Sequence, residues 1–364
     1  MGRPGVFIGL LYHRPVRGAV GRIVARSMLV SALLVAVLPS RPVGAVGALD
    51  RLDRFRELAS TLDPDAENTL SEVYSLLDSE VIESLGTGGV FASPEFLRDR
   101  LEAFTETWGG LAVRVLPLKR VVVAAFRFTE LPTGSSVRVY GRLRGEPALL
   151  AAMEGPGWPV VRPLAARDGV SQFLVVWEGP PAANGTRPLR FDVVQGMGET
   201  IRVSWSSSAP FPEELSARWY AVRGSEITVR YETSYPGWTR GCEGQTEAED
   251  VYRLNPGGGV FIRASHRDVN AWHRDLHRTA SRLFEALAKG DRAALGTLVP
   301  DAALRARLPA TLRGEPACDG PLGPDGIVSI AAVAGARTGA EPWSLTFRRS
   351  GGRWRLVTAA PMRP

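Results

Sequence analysis

The sequence predicts an α+β protein: N-terminal helices, then an antiparallel β-rich region, then a smaller unit of one helix and an antiparallel sheet. Apolar residues recur at helical spacing through residues 48–108 and at a period of two from 111 to 254. A second helical stripe near residue 280 precedes alternating, tryptophan-bearing strands. Helices and strands fall in separate runs, which argues against a doubly wound α/β fold.

Leu49, Leu52, Phe55, Leu58 and Leu62 mark the first helix, broken by Asp63-Pro64-Asp65. Asp63, Asp65 and Glu67 read as that turn and the start of the next helix. Leu70, Val73, Leu77, Val81 and Leu85 form its stripe, with Gly86 placed to end it in a left-handed conformation. Ser93-Pro94-Glu95 starts a third helix, because Ser caps, Pro suits the first turn and Glu meets the positive dipole end. Phe96, Leu97, Leu101, Phe104 and Trp108 line its buried face.

In the β region Val137 and Val139 alternate with Arg138 and Tyr140, and Ile227, Val229 and Tyr231 with Thr228, Arg230 and Glu232. This alternation predicts strands with one buried and one wet face. Asn255-Pro256-Gly257-Gly258-Gly259 reads as a linker between a domain at 46–254 and a second at 260–364. A short strand at 260–262 precedes a helix over 269–288, with Trp272, Leu276, Ala280, Leu283, Phe284 and Leu287 inward. Gly290 stops it and Asp291 caps a short helix. Three strands follow, at 327–333, at Trp343, Leu345 and Phe347, and at Trp354 and Leu356.

Residues 1–45 have the layout of a secretory signal peptide: a basic start, an apolar run over 28–38, then Val43-Gly44-Ala45 at the cleavage position. The run is shorter than the roughly 20 residues a membrane span needs. The mature chain is therefore expected to begin near Val46, in the periplasm or outside the cell, with no integral membrane association. The Arg-rich, Lys-poor composition fits a high-GC bacterial source. The whole chain carries 44 Lys+Arg against 38 Asp+Glu, but the leader holds six arginines and no acid, so 38 of each remain. A neutral body argues against nucleic-acid binding.

Cys242 and Cys318 are the two cysteines. Export to an oxidising compartment predicts one disulfide between them, stabilising by about 4–5 kcal/mol on the chain-entropy view; two unpaired thiols are the alternative. His273 and His277 have the i, i+4 spacing that brings two imidazoles to one metal, and His266 joins them if the helix extends back seven residues. The alternative is a solvated helix flank, with Arg267, Arg274 and Arg278 disfavouring a cation. Glu243, Glu247, Glu249 and Asp250 lack the calcium-loop pattern and read as a solvated loop. Trp158, Trp177 and Trp238 stand near loops, either stacking on a ligand or folding back on the core. No nucleophile elbow, phosphate loop, His-Glu-x-x-His or dinucleotide fingerprint occurs, so no catalytic or cofactor-binding residue is assigned.

Phe284-Glu285-Ala286-Leu287-Ala288-Lys289-Gly290-Asp291, with the closing hairpin around Trp343 to Phe347 and Gly352 to Val357, resembles the nuclear transport factor 2-like superfamily. The resemblance, confined to the C-terminal domain, implies a curved sheet wrapped on a helix with a pocket at the wide end; the helices-then-sheet order of residues 48–254 is read as a second, elaborated copy. Members include isomerases, dehydratases, binding proteins and scaffolds, so fold leaves function open. The Tyr and protonated-Asp oxyanion hole of ketosteroid isomerases has no counterpart, because no tyrosine follows Tyr252. The expected function is a non-enzymatic, exported ligand-binding or protein-interaction module, its partner a small ligand or a protein. The alternatives are an enzyme with a pocket in the cone and a structural accessory protein without one.

Overall fold

Three helices open the chain in a computed structural model, which describes residues 47–61, 67–107, 113–128, 134–165, 170–255, 257–335 and 339–362. The leader, the Asp63-Pro64-Asp65 turn and Trp108 lie outside the described residues. The helices are α1 (Gly47–Thr61), α2 (Glu67–Thr87) and α3 (Pro94–Thr107). Ser93 caps α3 as expected, accepting from the Phe96 N–H at 3.2 Å. Gly86 stays helical, and Gly88, just past the end of α2, has φ 74° and ψ −168°, a positive-φ conformation open to glycine but not the left-handed helical one expected of Gly86.

Strands β1 (Val113–Pro117), β2 (Val122–Arg127), β3 (Ser135–Leu143) and β4 (Glu146–Glu154) form an antiparallel meander. Ala124, Phe126 and Tyr140 pack against Phe55, Leu77, Leu97 and Phe104 of the helices. Val123, Ala125, Val137 and Val139 face the other way, onto Phe173, Val175 and Trp177 of the next sheet. Both faces are therefore buried, which corrects the expectation that Arg138 and Tyr140 are wet. Asp78 of α2 makes this tolerable: its carboxylate accepts from Arg138 Nε at 2.5 Å and from the Tyr140 hydroxyl at 2.7 Å. Burial alone lowers the Arg138 pKa, but its pairing with Asp78 outweighs that and holds it raised.

The second sheet holds β5 (Trp158–Pro163), β6 (Val170–Glu178), β7 (Arg187–Met197), β8 (Thr200–Ser206), β9 (Leu215–Arg223), β10 (Glu226–Glu232), β11 (Glu247–Asn255) and β12 (Val260–Val269). Its order is β12-β11-β10-β9-β7-β6-β5, with β8 also on β7. One apolar cluster joins Leu174, Phe191, Ile227, Tyr252 and Phe261, contributed by strands from β6 to β12, so the sheet curls around that face. Ser204 of β8 donates to the Gly259 carbonyl at 2.7 Å across the curl. Gly259 suits this turn because its φ of 61° is one that other side chains rarely adopt. The Gly-rich segment expected as a linker is thus the turn of the β11–β12 hairpin, and β12 is the sheet's edge strand.

The chain then forms α4 (Ala271–Lys289), α5 (Arg292–Leu298), α6 (Ala302–Arg307), β13 (Arg313–Gly314), β14 (Ile327–Ala334), β15 (Glu341–Ser350) and β16 (Arg353–Pro361). Gly290 ends α4 in the left-handed conformation, and Asp291 caps α5. Leu276, Ala280, Leu283 and Leu287 of α4 fill the face of the β13–β16 sheet with Ile330, Leu345, Phe347, Trp354 and Leu356. Trp272 and Phe284 flank this core half-buried rather than inside it, Phe284 resting beside Gly314. Residues 47–154 and 271–361 share one element order, three helices then a four-stranded meander.

This packing makes Leu283, with no exposed surface, the keystone of the C-terminal unit. Leu283→Ala should cost about 2–5 kcal/mol in urea unfolding. A loss below about 1 kcal/mol, as at a surface site, would contradict the placement of α4 on the sheet.

Candidate functional site

The i, i+4 spacing of His273 and His277 places both imidazoles on one face of α4, with ring centroids 4.6 Å apart. The residue they meet is Asp319, from the segment between β13 and β14. Both imidazoles aim Nε2 at the same carboxylate oxygen, Oδ2, at 2.9 Å from His273 and 2.5 Å from His277. The Asp319 side chain is 6% exposed, against 4% for His273 and 13% for His277. Burial pushes the Asp319 carboxyl up, but the hydrogen bonds and charges of the two histidines outweigh it and hold the pKa below the usual value of 3.8.

A disulfide brings Asp319 here. Cys318, the preceding residue, bonds to Cys242 with Cα atoms 5.2 Å apart, closing a separation of 76 residues. The expected pairing is therefore present. Cys242 sits in the loop between β10 and β11, which Gln245 organises: its side chain accepts from the Thr239 N–H at 2.7 Å and donates to the carbonyls of Thr239 and Cys242.

The same loop supplies Tyr235, whose hydroxyl lies 2.8 Å from His273 Nδ1 and accepts from the Thr246 N–H at 2.9 Å. An ionised Asp319 can only accept, so Nε2 of each histidine carries the proton facing it. In neutral His273, Nδ1 is then an acceptor and Tyr235 donates to it. Burial, the largest cause, raises the Tyr235 pKa and keeps this phenol protonated. Tyr235-Pro236-Gly237-Trp238 is a turn closed by the Trp238 N–H on the Tyr235 carbonyl at 2.9 Å. Gly237, at φ 86°, is the position that such a turn gives to glycine. A Cβ there would lie 1.8 Å from His277 Nδ1, so the loop rests directly on that ring.

Thr246 joins the loop to the helix. Its hydroxyl accepts from the Arg274 N–H at 3.0 Å and donates to the Asn270 carbonyl at 2.7 Å, serving the first turn of α4, which Asn270 leaves without a side-chain cap. Arg274 pairs with Asp268, Arg267 with Glu249 and Arg278 with Asp275, so each cation expected to repel a metal faces its own carboxylate.

His266 does not join this group. The helix begins at Ala271, and His266 lies on β12, where Nδ1 meets Asp250 Oδ1 at 2.6 Å. The strand expected at 260–262 continues to Val269, and its polar second half, which includes His266, escaped the sequence reading because it shows no apolar alternation. Asp250 is fully buried and also accepts from the Tyr231 and Tyr252 hydroxyls, each at 3.1 Å. Burial first, and the Asp250 charge next, push both phenols up. The acidic run is therefore not a solvated loop over its length: Glu247 on β11 pairs with Arg218 and Arg230, and Glu249 with Arg267. Trp177 is core, donating to Asp192 at 2.8 Å, which settles one of the three loop tryptophans as structural.

On the outer side of α4 an open groove of about 840 Å³ runs between that helix, α5 and the β15–β16 turn. Arg278, Arg282, Arg353 and Arg355 line it with one acid, Asp275. Pro236, next to Gly237, forms its margin. Comparison of the chain with protein-family models and with curated proteins finds no match.

A carboxyl with a lowered folded pKa stabilises fully above its unfolded pKa, and the contribution is lost as pH falls through the folded value. The advantage of the natural chain over Asp319→Asn in urea unfolding should shrink as pH falls below the usual 3.8. An advantage that persists undiminished into acid would contradict an ionised Asp319 between the two histidines.

Proposed function

We propose that the chain is an exported, non-enzymatic interaction module of bacterial type, and that the arginine groove beside α4 receives an acidic segment of a partner protein. One observation carries the reading. Arg282, Arg353 and Arg355 converge on the groove with no carboxylate in ion-pairing distance among the described residues. Trp354 also lines the groove, and its buried Nε1–H has no acceptor among the described residues. Guanidinium groups are donors only, so the groove favours an anionic ligand rich in acceptors.

Export is supported by the leader pattern of residues 1–45 and by the disulfide, which persists in oxidising compartments. No helix among the described residues is long and apolar enough to cross a membrane. Similarity to the nuclear transport factor 2-like fold remains our reading of residues 260–364; the element order that residues 47–154 share with residues 271–361 favours an elaborated second copy upstream. A binding role is favoured over a pocket enzyme because apolar side chains fill the space between α4 and its sheet, where the cone fold keeps its pocket.

The test is fluorescence anisotropy with a fluorescein-labelled deca-glutamate peptide. Binding should weaken as salt rises. The double variant Arg282→Glu, Arg353→Glu should bind about tenfold more weakly or worse, since a charge-assisted hydrogen bond is worth roughly 1.5–3 kcal/mol. Arg223→Glu, at the end of β9, serves as the control that leaves binding intact. Equal binding by the double variant and the natural chain, or none by either, would overturn the reading.

A further inference from the structure

We propose that His273, His277 and Asp319 form a zinc site, with Tyr235 as its outer support. The inference is independent of the arginine groove. Its first ground is donor chemistry: two imidazoles and one carboxylate are a set that zinc accepts with a fourth position left for water or another ligand. The ligand atoms of the three residues all lie within 4.8 Å of one another.

The second ground is convergence. A carboxylate has two oxygens and about four acceptor directions. Two imidazoles satisfied by hydrogen bonding alone have no need to share an oxygen, yet both point Nε2 at Asp319 Oδ2. A tetrahedral zinc ion with bonds near 2.0–2.1 Å keeps its ligand atoms roughly 3.3 Å apart. The 2.5 and 2.9 Å separations need to open by less than about an ångström to admit it.

The third ground is the surrounding shell. A histidine that ligates through Nε2 carries its proton on Nδ1 and needs an acceptor there. The Tyr235 oxygen stands 2.8 Å from His273 Nδ1 and has a second lone pair beside the one that takes the Thr246 N–H. A zinc ion would take Nε2 of each neutral imidazole, so each ring would carry its one proton on Nδ1, and the His273 Nδ1–H would donate to Tyr235. The Asp319 charge balances half that of the ion. The backbone of Gly237 holds the His277 ring from one side, and the disulfide fixes Asp319 through its neighbour Cys318. Arg267, Arg274 and Arg278 are each paired with an acid, so none of the three stands beside the cluster as an uncompensated cation.

The experiment uses the mature, disulfide-bonded chain, stripped with chelator and titrated with zinc chloride by calorimetry. Cobalt(II) supplies a visible spectrum as a second readout. One zinc per chain should bind. Asp319→Asn and His277→Gln should each weaken binding by more than about 100-fold, and Tyr235→Phe by about 10–100-fold, the usual effect of losing an outer partner. His266→Ala should bind as the natural chain does. His277→Gln keeps a hydrogen-bond donor of similar reach, and far-ultraviolet circular dichroism checks that it is folded; should it unfold, Asp319→Asn decides. No zinc uptake by the natural chain, uptake unaffected by Asp319→Asn, or an equal loss in His266→Ala would each overturn the site.

Discussion

The Cys242–Cys318 bond is the constraint on which the C-terminal half depends. It joins the loop before β11, an element of the curled sheet, to the segment between β13 and β14, an element of the helix-and-sheet unit. Asp319 sits on a stretch outside the strands that Glu315, Gly320 and Gly323 tie to β14 by backbone hydrogen bonds, and the disulfide adds its link to the loop between β10 and β11. With it, the carboxylate is delivered to the histidine face of α4, and the loop that carries Cys242 also delivers Tyr235 and Gly237 to the other sides of the same imidazoles. One covalent link therefore closes the junction and assembles its polar cluster. Closing a loop of this length stabilises by roughly 4–5 kcal/mol in chain-entropy terms.

Other buried carboxylates among the described residues are likewise held by several donors. Asp78 meets Arg138 and Tyr140 between α2 and the first sheet. Asp250 meets Tyr231, Tyr252 and His266 on the second. A buried carboxylate left alone is costly, whereas one that accepts several hydrogen bonds is tolerated. The contrast is the groove on the outer side of α4, where three arginines face solvent without acids. The groove that carries these three arginines is where we propose that an acidic partner segment binds.

Much of the fold was legible in the sequence wherever side chains keep a period. The α4 stripe, the Ser93 and Asp291 caps, and the alternating Val and Ile positions follow from helical and strand geometry. What was illegible had no local signal. Arg138 and Tyr140 read as a wet face because the helix that covers them, through Asp78, is about 60 residues away in sequence. A Gly-rich run reads alike for a linker and a hairpin turn, and only the pairing of β11 with β12 distinguishes them. At the site, His273 and His277 were marked by spacing, while Asp319 lies 42 residues from His277. The available clue was its position beside Cys318: once the two cysteines are paired, the residue next to the bond is carried to the junction.

The central claim is that the disulfide holds Asp319 against the two imidazoles. Proton–nitrogen correlation spectra of the histidine rings test it most directly, recorded on metal-free protein in the oxidised state and after reduction and alkylation. In the oxidised state neutral His273 should be a single tautomer, protonated at Nε2 and accepting at Nδ1 from Tyr235. Breaking the disulfide should release that tautomer to the mixture of a free imidazole. Ring spectra that are the same in both states would show that the cluster stands without the bond and would contradict the account.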